Sequence, residues 1–212
     1  MCGRFAITQD PTVFQLELQL GQMPQELGPD PNIAPGRLVP VVVDGVTREV
    51  KMFKWGLVPS WARDPLIGNK LINARAETIA EKPSFRNAFA RRRCLILADS
   101  FYEWKTEGNK RVPYRFALVG GKPFTFAGIW EDWRDHSGSL ITTCAIITII
   151  PNGLLQEYHD RMPVILDAAS CWKWLEAGTN AVQLLEMLKP YPAELMAMPE
   201  KVDPKSLYLL RE

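Results

Sequence analysis

Residues 94–105 read CLILADSFYEWK, two apolar runs on either side of the polar pair Asp99-Ser100. The first run, Cys94–Ala98, is apolar at every position, as in strands that are buried on both faces. The second run, Phe101–Lys105, places aromatic residues around Glu103 and is also typical of a strand. The stretch therefore predicts two consecutive strands, with a carboxylate placed inside the second.

Similar apolar runs lie on both sides of this pair. Further strands are predicted at Leu38–Val43, Arg48–Trp55, Leu71–Ala76, Tyr114–Leu118, Phe124–Ile129, Ile141–Ile149 and Met162–Leu166, with a hairpin turn at Asp44-Gly45. Helices are predicted from Pro11 to about Gly21, around Ser84–Arg91, between Asp167 and Gly178, and over Ala181–Leu188. Strands and helices do not alternate. The fold class is therefore α+β, with a curved, mostly antiparallel sheet or pseudo-barrel and peripheral helices.

The size of the chain predicts one domain over residues 1–212. Its 212 residues, 47% of them hydrophobic, suffice for one well-buried core. No apolar run reaches the roughly 20 residues of a membrane helix, and the start does not resemble a secretory signal, so we expect a cytoplasmic protein. The four cysteines, at positions 2, 94, 144 and 171, form no CxxC pair. We therefore expect no zinc site, no disulfide framework and no cofactor.

Charge is unevenly distributed along the chain. The net charge is +1, but residues 61–120 carry 12 lysines and arginines against six aspartates and glutamates. Arg91-Arg92-Arg93 is the densest basic point, and a solvated helix end explains it as well as a nucleic-acid contact does. Composition alone therefore does not indicate a nucleic-acid partner, although a local basic surface remains compatible with one.

Cys2 is the first candidate for chemistry. A penultimate residue this small should allow removal of Met1, which leaves an amine and a thiol on adjacent carbons. The α-amine has a pKa near ~7.7–8.0, so a usable fraction is neutral and can attack an aldehyde to form a Schiff base. The thiol can then close a five-membered thiazolidine ring. The alternative interpretation is an ordinary cysteine at a frayed terminus.

Three polar clusters further along the chain could complete a site. Asn73 opens the polar segment 73–78, which could equally be a capped turn. Glu103 stands between two large aromatic residues, where burial would raise its pKa and suit it to general acid–base catalysis; an edge strand would instead point it to solvent. His159 lies between charged neighbours just before an apolar strand and could exchange protons, although a lone histidine is more often structural.

Together these segments resemble the SOS response-associated peptidase (SRAP) family, in the order in which the family has them. The matching segments are Met1–Phe5, Asn32–Gly36, Trp55–Pro59, Asn73–Thr78, Tyr102–Trp104, Ala127–Trp130 and His159–Pro163. The similarity spans about residues 1–178. The tail departs from the family pattern, because residues 201–205 read KVDPK where many members have a Val-Ser and Val-Asn segment.

The resemblance implies a single α+β domain that captures abasic sites in single-stranded DNA through a stable thiazolidine crosslink to Cys2. It further implies lyase and crosslink-reversal activity, and peptidase action limited to removal of Met1. By similarity, Asn73 positions the N-terminal cysteine and the sugar, and Glu103 moves protons during ring closure and reversal. His159 assists sugar ring opening. No metal, cofactor or membrane is implied, and protein partners are unknown.

The resemblance also implies a basic groove for the DNA. Arg4, Arg75 and Arg161 fall at positions expected to hold phosphates, the contacts that supply most sequence-independent DNA affinity. Trp55 and Trp61 could stack on bases, as in single-strand binders. The alternative for both tryptophans is core packing, which we favour for Trp55.

Two other functions remain open from the sequence. Met-Cys-Gly also begins some glutamine amidotransferases, in which the thiol attacks an amide carbonyl. Those enzymes are longer and carry further motifs that this sequence lacks. A plain single-strand binder without a covalent step is the second alternative.

Overall fold

The structure is a computed structural model that describes residues 2–168 and 170–208, so Met1 and the last four residues lie outside it. Within these ranges it has thirteen strands and five α-helices. The strands are β1 (Phe5–Ile7), β2 (Asp30–Ile33), β3 (Leu38–Val42), β4 (Val50–Trp55), β5 (Asn73–Arg75), β6 (Arg93–Ala98), β7 (Ser100–Glu107), β8 (Lys110–Ala117), β9 (Phe124–Arg134), β10 (Leu140–Ile149), β11 (Met162–Pro163), β12 (Ile165–Leu166) and β13 (Glu200–Lys201). The helices are α1 (Pro11–Glu17), α2 (Arg86–Arg91), α3 (Cys171–Leu175), α4 (Ala181–Met187) and α5 (Pro204–Tyr208).

The strands form two sheets. The smaller sheet has the antiparallel order β13-β8-β7-β1-β2. In the larger sheet, β10, β4, β3, β6 and β9 are paired in that order, and β9 pairs again with β10. This last pairing closes a five-stranded barrel. The α+β class with a mostly antiparallel pseudo-barrel is thus confirmed, with the difference that β10 runs parallel to both β4 and β5.

The core fills the space between the two sheets. Phe5 of β1 packs against Trp55 and Phe126 with ring centroids 5.2 and 5.6 Å apart, and Phe101 packs on Phe116 and Phe126. Aromatic burial of this kind contributes about 1.5–3 kcal/mol for each side chain. Because β1 and β7 are neighbours in one sheet and face the barrel, residues near the start of β1 are held against β7.

Several predicted boundaries are wrong for local reasons. The segment 162–166 is two short strands, because Val164 donates its N–H to Ile147 of β10 while its carbonyl accepts from Ala127 of β9. The Gly- and Pro-rich stretch before Gly36, read as a loop, contains β2. The helix after Asp10 ends at Glu17, short of Gly21, since Gln19 adopts a left-handed backbone.

The predicted turns and caps also differ in detail. The β3–β4 connection spans residues 43–49 and is longer than a two-residue hairpin, with Asp44 accepting the N–H of Val46. Ser84 does not cap α2, whose N-cap residue is Phe85. Asp167 accepts hydrogen bonds from Ser170, one residue before α3, and so shapes the turn that leads into the helix.

The basic triplet 91–93 divides among three environments. Arg91 is exposed in the last turn of α2, and Arg92 pairs with Glu131 at 2.7 Å. The buried Arg93 donates to the carbonyls of Ala90, Trp174 and Glu176 at 2.8–2.9 Å. The helix-end interpretation therefore describes this triplet better than a nucleic-acid patch does.

Replacing Arg93 with methionine should lower the free energy of unfolding by about 2–4 kcal/mol, because buried and partly buried carbonyls at the ends of α2 and α3 would lose their donor. Urea denaturation measures the change. Arg91→Met is the matched control, and we expect it to stay within about 0.5 kcal/mol of the wild type. Equal stability of the two variants would contradict this structural assignment.

Candidate active site

Cys2 lies at the entry of β1 and is fully buried, with 0% of its surface exposed. The β1–β7 pairing sets Phe5 opposite Phe101, and the N–H of Tyr102 donates to the carbonyl of Arg4. Continuing this register brings Glu103 opposite the residues that follow Cys2. Cys2 is therefore not a frayed end in this structure, and its neighbour on β7 is a carboxylate.

Asn73 fixes the backbone of Cys2. Its Nδ2 donates to the Cys2 carbonyl oxygen at 2.8 Å, and β5 holds it in place by pairing with β10. Its Oδ1 is buried and has no hydrogen-bond partner among the described residues. A buried acceptor without a partner is uncommon and often marks a site that a ligand or water completes. Asn73 is thus suited to orient the first residues and still accept a hydrogen bond.

Glu103 is 1% exposed. Burial raises its pKa from 4.5 to about 7, because desolvation disfavours the carboxylate; Arg111 opposes this rise and Asp160 adds to it. A carboxyl group with this pKa is present in both protonation states near neutral pH. The solvent-facing interpretation of Glu103 is therefore wrong, and the residue can give and accept a proton.

His159 completes the cluster. Its Nε2 lies 3.9 Å from Glu103 Oε2, while its Nδ1 lies 2.8 Å from Asp160 Oδ1 and accepts the N–H of Arg161 at 3.1 Å. Burial lowers the pKa of His159, and Arg111 lowers it further while Asp160 raises it. The imidazole is therefore mostly neutral at pH 7 and above. Its Nε2 edge faces the carboxyl group of Glu103.

The fold thus brings together four residues from four distant segments: Cys2, Asn73, Glu103 and His159. The thiol of Cys2 is held in its protonated form, because burial and the nearby Glu103 charge both raise its pKa. A thiol in this state is a poor first nucleophile. The cluster can therefore exchange protons around the first residue of the chain without presenting a preformed thiolate.

The arginines expected to contact phosphates have different environments. Arg75 is exposed. The pKa of Glu77 is lowered mainly by the hydrogen bond from Arg161, and the charge of Arg75 adds a smaller effect. Arg4 is partly buried and donates through Nη1 to Asn32 Oδ1 at 2.8 Å. Asn32 in turn donates to the carbonyl of Leu207 in α5. Arg4 is therefore ordered by contacts to β2, and through them to the C-terminal helix.

Arg161, also expected to contact a phosphate, is engaged within the protein. It is 9% exposed, and its two Nη groups donate to the carboxylate of Glu77 at 2.6 and 2.8 Å. Nη2 also donates to the carbonyl of Thr148 at 2.6 Å. These contacts engage three of the four Nη hydrogens within the protein, and the phosphate contact stays a prediction.

The two candidate tryptophans differ sharply. Trp55 is 1% exposed and donates through Nε1 to the Ile72 carbonyl at 2.9 Å, so it belongs to the core and the base-stacking assignment is corrected. Trp61 is 57% exposed. Its loop is anchored by a hydrogen bond from Trp133 Nε1 to the carbonyl of Ala62 at 2.7 Å.

Two glycines fix the loop that carries Trp61. A Cβ at Gly56 would lie 2.8 Å from the carbonyl oxygen of Gly68, and one at Gly68 would lie 2.7 Å from that of Gly56. Gly56 also has φ +130°, a conformation that side chains rarely adopt. The close approach of these backbones holds both ends of the loop and presents Trp61 on a firm support.

Sequence reasoning missed three residues of this region. Asn32, Glu77 and Asp160 each stand in a segment that was singled out, but none was given a part in the site. Glu77 is exposed, so nothing in its own segment indicates that it has a fixed cationic partner. The identity of that partner, Arg161, lies 84 positions away and carries no local signal.

No group of three or more His, Cys, Asp or Glu residues in the described ranges is arranged to hold a metal ion. Among the same residues, no helix is long and apolar enough to span a bilayer.

The chain is similar to known proteins over almost its whole length. A family model described as SOS response associated peptidase (SRAP) matches residues 1–204. Abasic site processing protein YoqW of Bacillus subtilis (strain 168) is 42% identical over 201 residues, covering 92% of this chain and 90% of that protein. Abasic site processing protein HMCES of Mus musculus is 34% identical over 179 residues, covering 69% of this chain and 51% of that protein.

Solved structures share the fold. A crystal structure of a protein from Bacteroides thetaiotaomicron has a TM-score of 0.89 at 27% identity, covering 98% of this chain and 94% of that one. A second, from Bordetella bronchiseptica, has a TM-score of 0.83 at 27% identity, covering 95% and 100% of the two chains. The similarity therefore includes the C-terminal region beyond residue 178, where the sequence pattern becomes weak.

Proposed function

The chain belongs to the SOS response-associated peptidase (SRAP) family, and from this membership we propose that it processes abasic sites in single-stranded DNA by covalent capture at Cys2. The relatives named above are abasic site processing proteins, and one is 42% identical over 92% of this chain. The observation that carries the proposal is the convergence of Asn73, Glu103 and His159 on the first residue of the mature protein.

The first step is attack by the amine. Removal of Met1 frees the α-amine of Cys2, while Asn73 holds the Cys2 carbonyl. The abasic sugar in its ring-opened form offers an aldehyde at C1′. The neutral amine adds to C1′, and the resulting carbinolamine loses water to give an imine. Glu103 supplies the proton that makes hydroxide a leaving water molecule, which its pKa of about 7 allows.

The second step is ring closure by the thiol. Because burial keeps the Cys2 thiol protonated, the amine reacts first and the thiol adds afterwards. A new S–C1′ bond forms, the C=N double bond becomes single, and the thiol proton passes through the Glu103 carboxylate to the ring nitrogen. The product is a thiazolidine. The same carboxyl group in its acid form opens the ring in reverse.

His159 assists the opening of the sugar. Its neutral imidazole can pass the Nε2 proton to the ring oxygen as the C1′–O bond of the cyclic sugar breaks. The C1′ hydroxyl group gives its proton to the Glu103 carboxylate as the aldehyde forms, and Glu103 returns that proton to Nε2, which it faces. The imine that precedes ring closure is also the species from which β-elimination would cleave the strand. Lyase activity therefore competes with thiazolidine formation, and fast ring closure suppresses it.

The DNA strand would be held by charge and stacking. Arg75 is exposed beside the site, and Arg4 is one residue from Gly3 at the entry of β1. Contacts of this kind to phosphates weaken with salt, so capture should slow as ionic strength rises. Trp61 provides an exposed aromatic face for a base near the lesion. A DNA partner is consistent with the cytoplasmic, nucleoid-associated location expected for this protein.

Trp61→Ala should weaken the binding of undamaged single-stranded DNA by roughly 5- to 100-fold, because a stacked base contributes about 1–3 kcal/mol. Fluorescence anisotropy in a Cys2→Ala background measures binding without covalent capture. Trp172→Ala is the control, since that indole lies on α3 under the guanidinium of Arg48. Equal dissociation constants for the two variants would remove Trp61 from the DNA surface.

The proposal as a whole is tested with an oligonucleotide that carries one abasic site. Single-stranded and duplex forms are each mixed with the protein and run on a denaturing gel. We expect a heat-stable shifted band with the single strand, of mass equal to the protein without Met1 plus the DNA minus one water. Non-covalent binding alone would support a plain single-strand binder, and glutamine hydrolysis would support an amidotransferase.

A further inference from the structure

The buried Arg161 and the exposed Glu77 form a two-point ion pair next to the site. Nη1 donates to Oε1 at 2.6 Å and Nη2 to Oε2 at 2.8 Å, the parallel arrangement that fixes a guanidinium group in one plane. A third hydrogen bond, from Nη2 to the carbonyl of Thr148, anchors the same group to β10. Arg161 is therefore held rigidly, although it contacts none of the reacting atoms.

The ion pair joins the two halves of the site. Glu77 lies in the 3-10 helix Ala76–Thr78, directly after β5, which carries Asn73. Arg161 stands between His159 and β11, and Thr148 of β10 pairs with Arg75 on one side and Pro163 on the other. The Asn73 segment and the His159 loop are thus tied to one strand through a single guanidinium group.

The backbone of Arg161 acts on His159 directly. Its N–H donates to His159 Nδ1 at 3.1 Å, and a nitrogen that accepts a hydrogen bond cannot carry the proton of a neutral imidazole. This hydrogen bond favours the tautomer with its proton on Nε2, which faces Glu103. Asp160 competes, because its Oδ1 lies 2.8 Å from the same Nδ1 and would stabilise a proton there.

We propose that Arg161 and Glu77 are positioning residues that hold His159 as the Nε2–H tautomer facing Glu103, against the pull of Asp160. The ion pair fixes the Arg161 backbone, and the Arg161 N–H selects the tautomer. Without the ion pair, the Arg161 N–H can move away from Nδ1, and Nδ1–H can then donate to Asp160 Oδ1, which already lies 2.8 Å away. Nε2 would then be an acceptor and could no longer donate to the sugar ring oxygen. The kinetic consequence rests on the proposed function, whereas the tautomer itself does not.

The test uses two variants that break the ion pair differently. Arg161→Lys keeps the positive charge but loses the two-point geometry, and Glu77→Gln keeps the shape but replaces one acceptor with a donor. The chain has only two histidines, so a His136→Gln background leaves His159 as the single imidazole. The ¹⁵N chemical shifts of its two nitrogens at pH 8 report directly which one is protonated.

We expect the Nε2–H form in the parent, and a mixture or the Nδ1–H form in both variants. Thiazolidine formation should slow about 10-fold or more in the variants, since proton transfer by a positioned group contributes about 10²–10⁴-fold. Asp160→Ala combined with Arg161→Lys should restore the Nε2–H signal, because the competing acceptor is gone. A purely structural ion pair would not give this rescue.

The control is Arg37→Lys, which alters an exposed arginine–carboxylate pair at 3.1 Å to Asp30. It should leave both the tautomer and the rate unchanged. An unchanged Nε2–H tautomer in folded Glu77→Gln, together with a parental rate, would overturn the proposal. Absence of any crosslink from the parent would instead overturn the proposed function, and the nitrogen shifts would still decide the tautomer.

Discussion

Cys2→Ala is expected to abolish the heat-stable adduct with abasic single-stranded DNA, a loss of at least 100-fold in the crosslinked band. The alanine variant keeps an α-amine and can form an imine, but it has no thiol to trap it. An imine is hydrolysed or undergoes β-elimination. We therefore expect strand cleavage and transient adducts that survive a denaturing gel only after reduction with borohydride.

Cys2→Ser separates the two nucleophiles further. A serine hydroxyl has a much higher pKa than a thiol and is a weaker nucleophile, so ring closure should fail while the amine remains. A heat-stable adduct from the serine variant without reductant would contradict the thiazolidine mechanism. Intact-mass measurement accompanies both variants, because each must have lost Met1 before its reactivity is compared.

The matched control for Cys2 is Cys171→Ala. Cys171 is also buried, but it lies on α3, where its Sγ donates to the carbonyl of Ala168 at 3.6 Å. Its removal should leave crosslinking at the wild-type level. Equal loss of crosslinking in Cys2→Ala and Cys171→Ala would point to a general effect on folding and would remove Cys2 from its proposed position as the nucleophile.

Glu103→Gln is expected to slow thiazolidine formation and its reversal by about 10²–10³-fold, the range for loss of a general acid–base group. The amide fills the same space and can donate a hydrogen bond, but it cannot transfer a proton. Single-turnover gel assays give the forward rate. Exchange of a preformed adduct onto a second, labelled abasic oligonucleotide gives the reverse rate.

The pH dependence of the crosslinking rate should show that Glu103 is the group that transfers the proton. With its pKa near 7, the wild-type rate should pass through a maximum close to neutral pH, because the acid form is depleted above it and the base form below it. In Glu103→Gln this maximum should disappear. Glu107→Gln is the control, since Glu107 lies on the same strand but is paired with Lys201 at 2.7 Å near the surface.

The same burial has a consequence for stability. The pKa of Glu103 in the folded state is above its ordinary value, so the folded state is favoured by protonation. This stabilising contribution is fully present below about pH 4.5 and is lost as the pH rises through about 7. The amide of Glu103→Gln does not titrate, so the variant should not lose stability over this pH range. At pH 8 the variant should therefore gain stability relative to the wild type, by on the order of 3 kcal/mol at most.

The opposite signs of the two effects make this variant informative. A slower but more stable protein is expected if burial of the carboxyl group is maintained for chemistry at a cost in stability. Thermal unfolding at pH 5 and pH 8 distinguishes the loss of a buried carboxylate from damage to the fold. A damaged fold would be less stable than the wild type at both pH values.

The strand pattern of residues 94–105 and its neighbours was enough for the α+β class, because burial of a strand leaves a local record in apolar residues. The short motifs around Cys2, Asn73, Glu103 and His159 were enough to select those four residues. Each could be read locally because the residue type itself carries the chemistry.

Only the tertiary structure decided how those residues are used. The sequence does not show that Glu103 faces inward and has a raised pKa, that Trp55 is buried while Trp61 is exposed, or that Arg161 is engaged by Glu77. These properties depend on contacts between segments far apart in the chain, where an arginine has many chemically equivalent partners. Residue type limits what a side chain can do, but its neighbours in the fold determine its charge, direction and exposure.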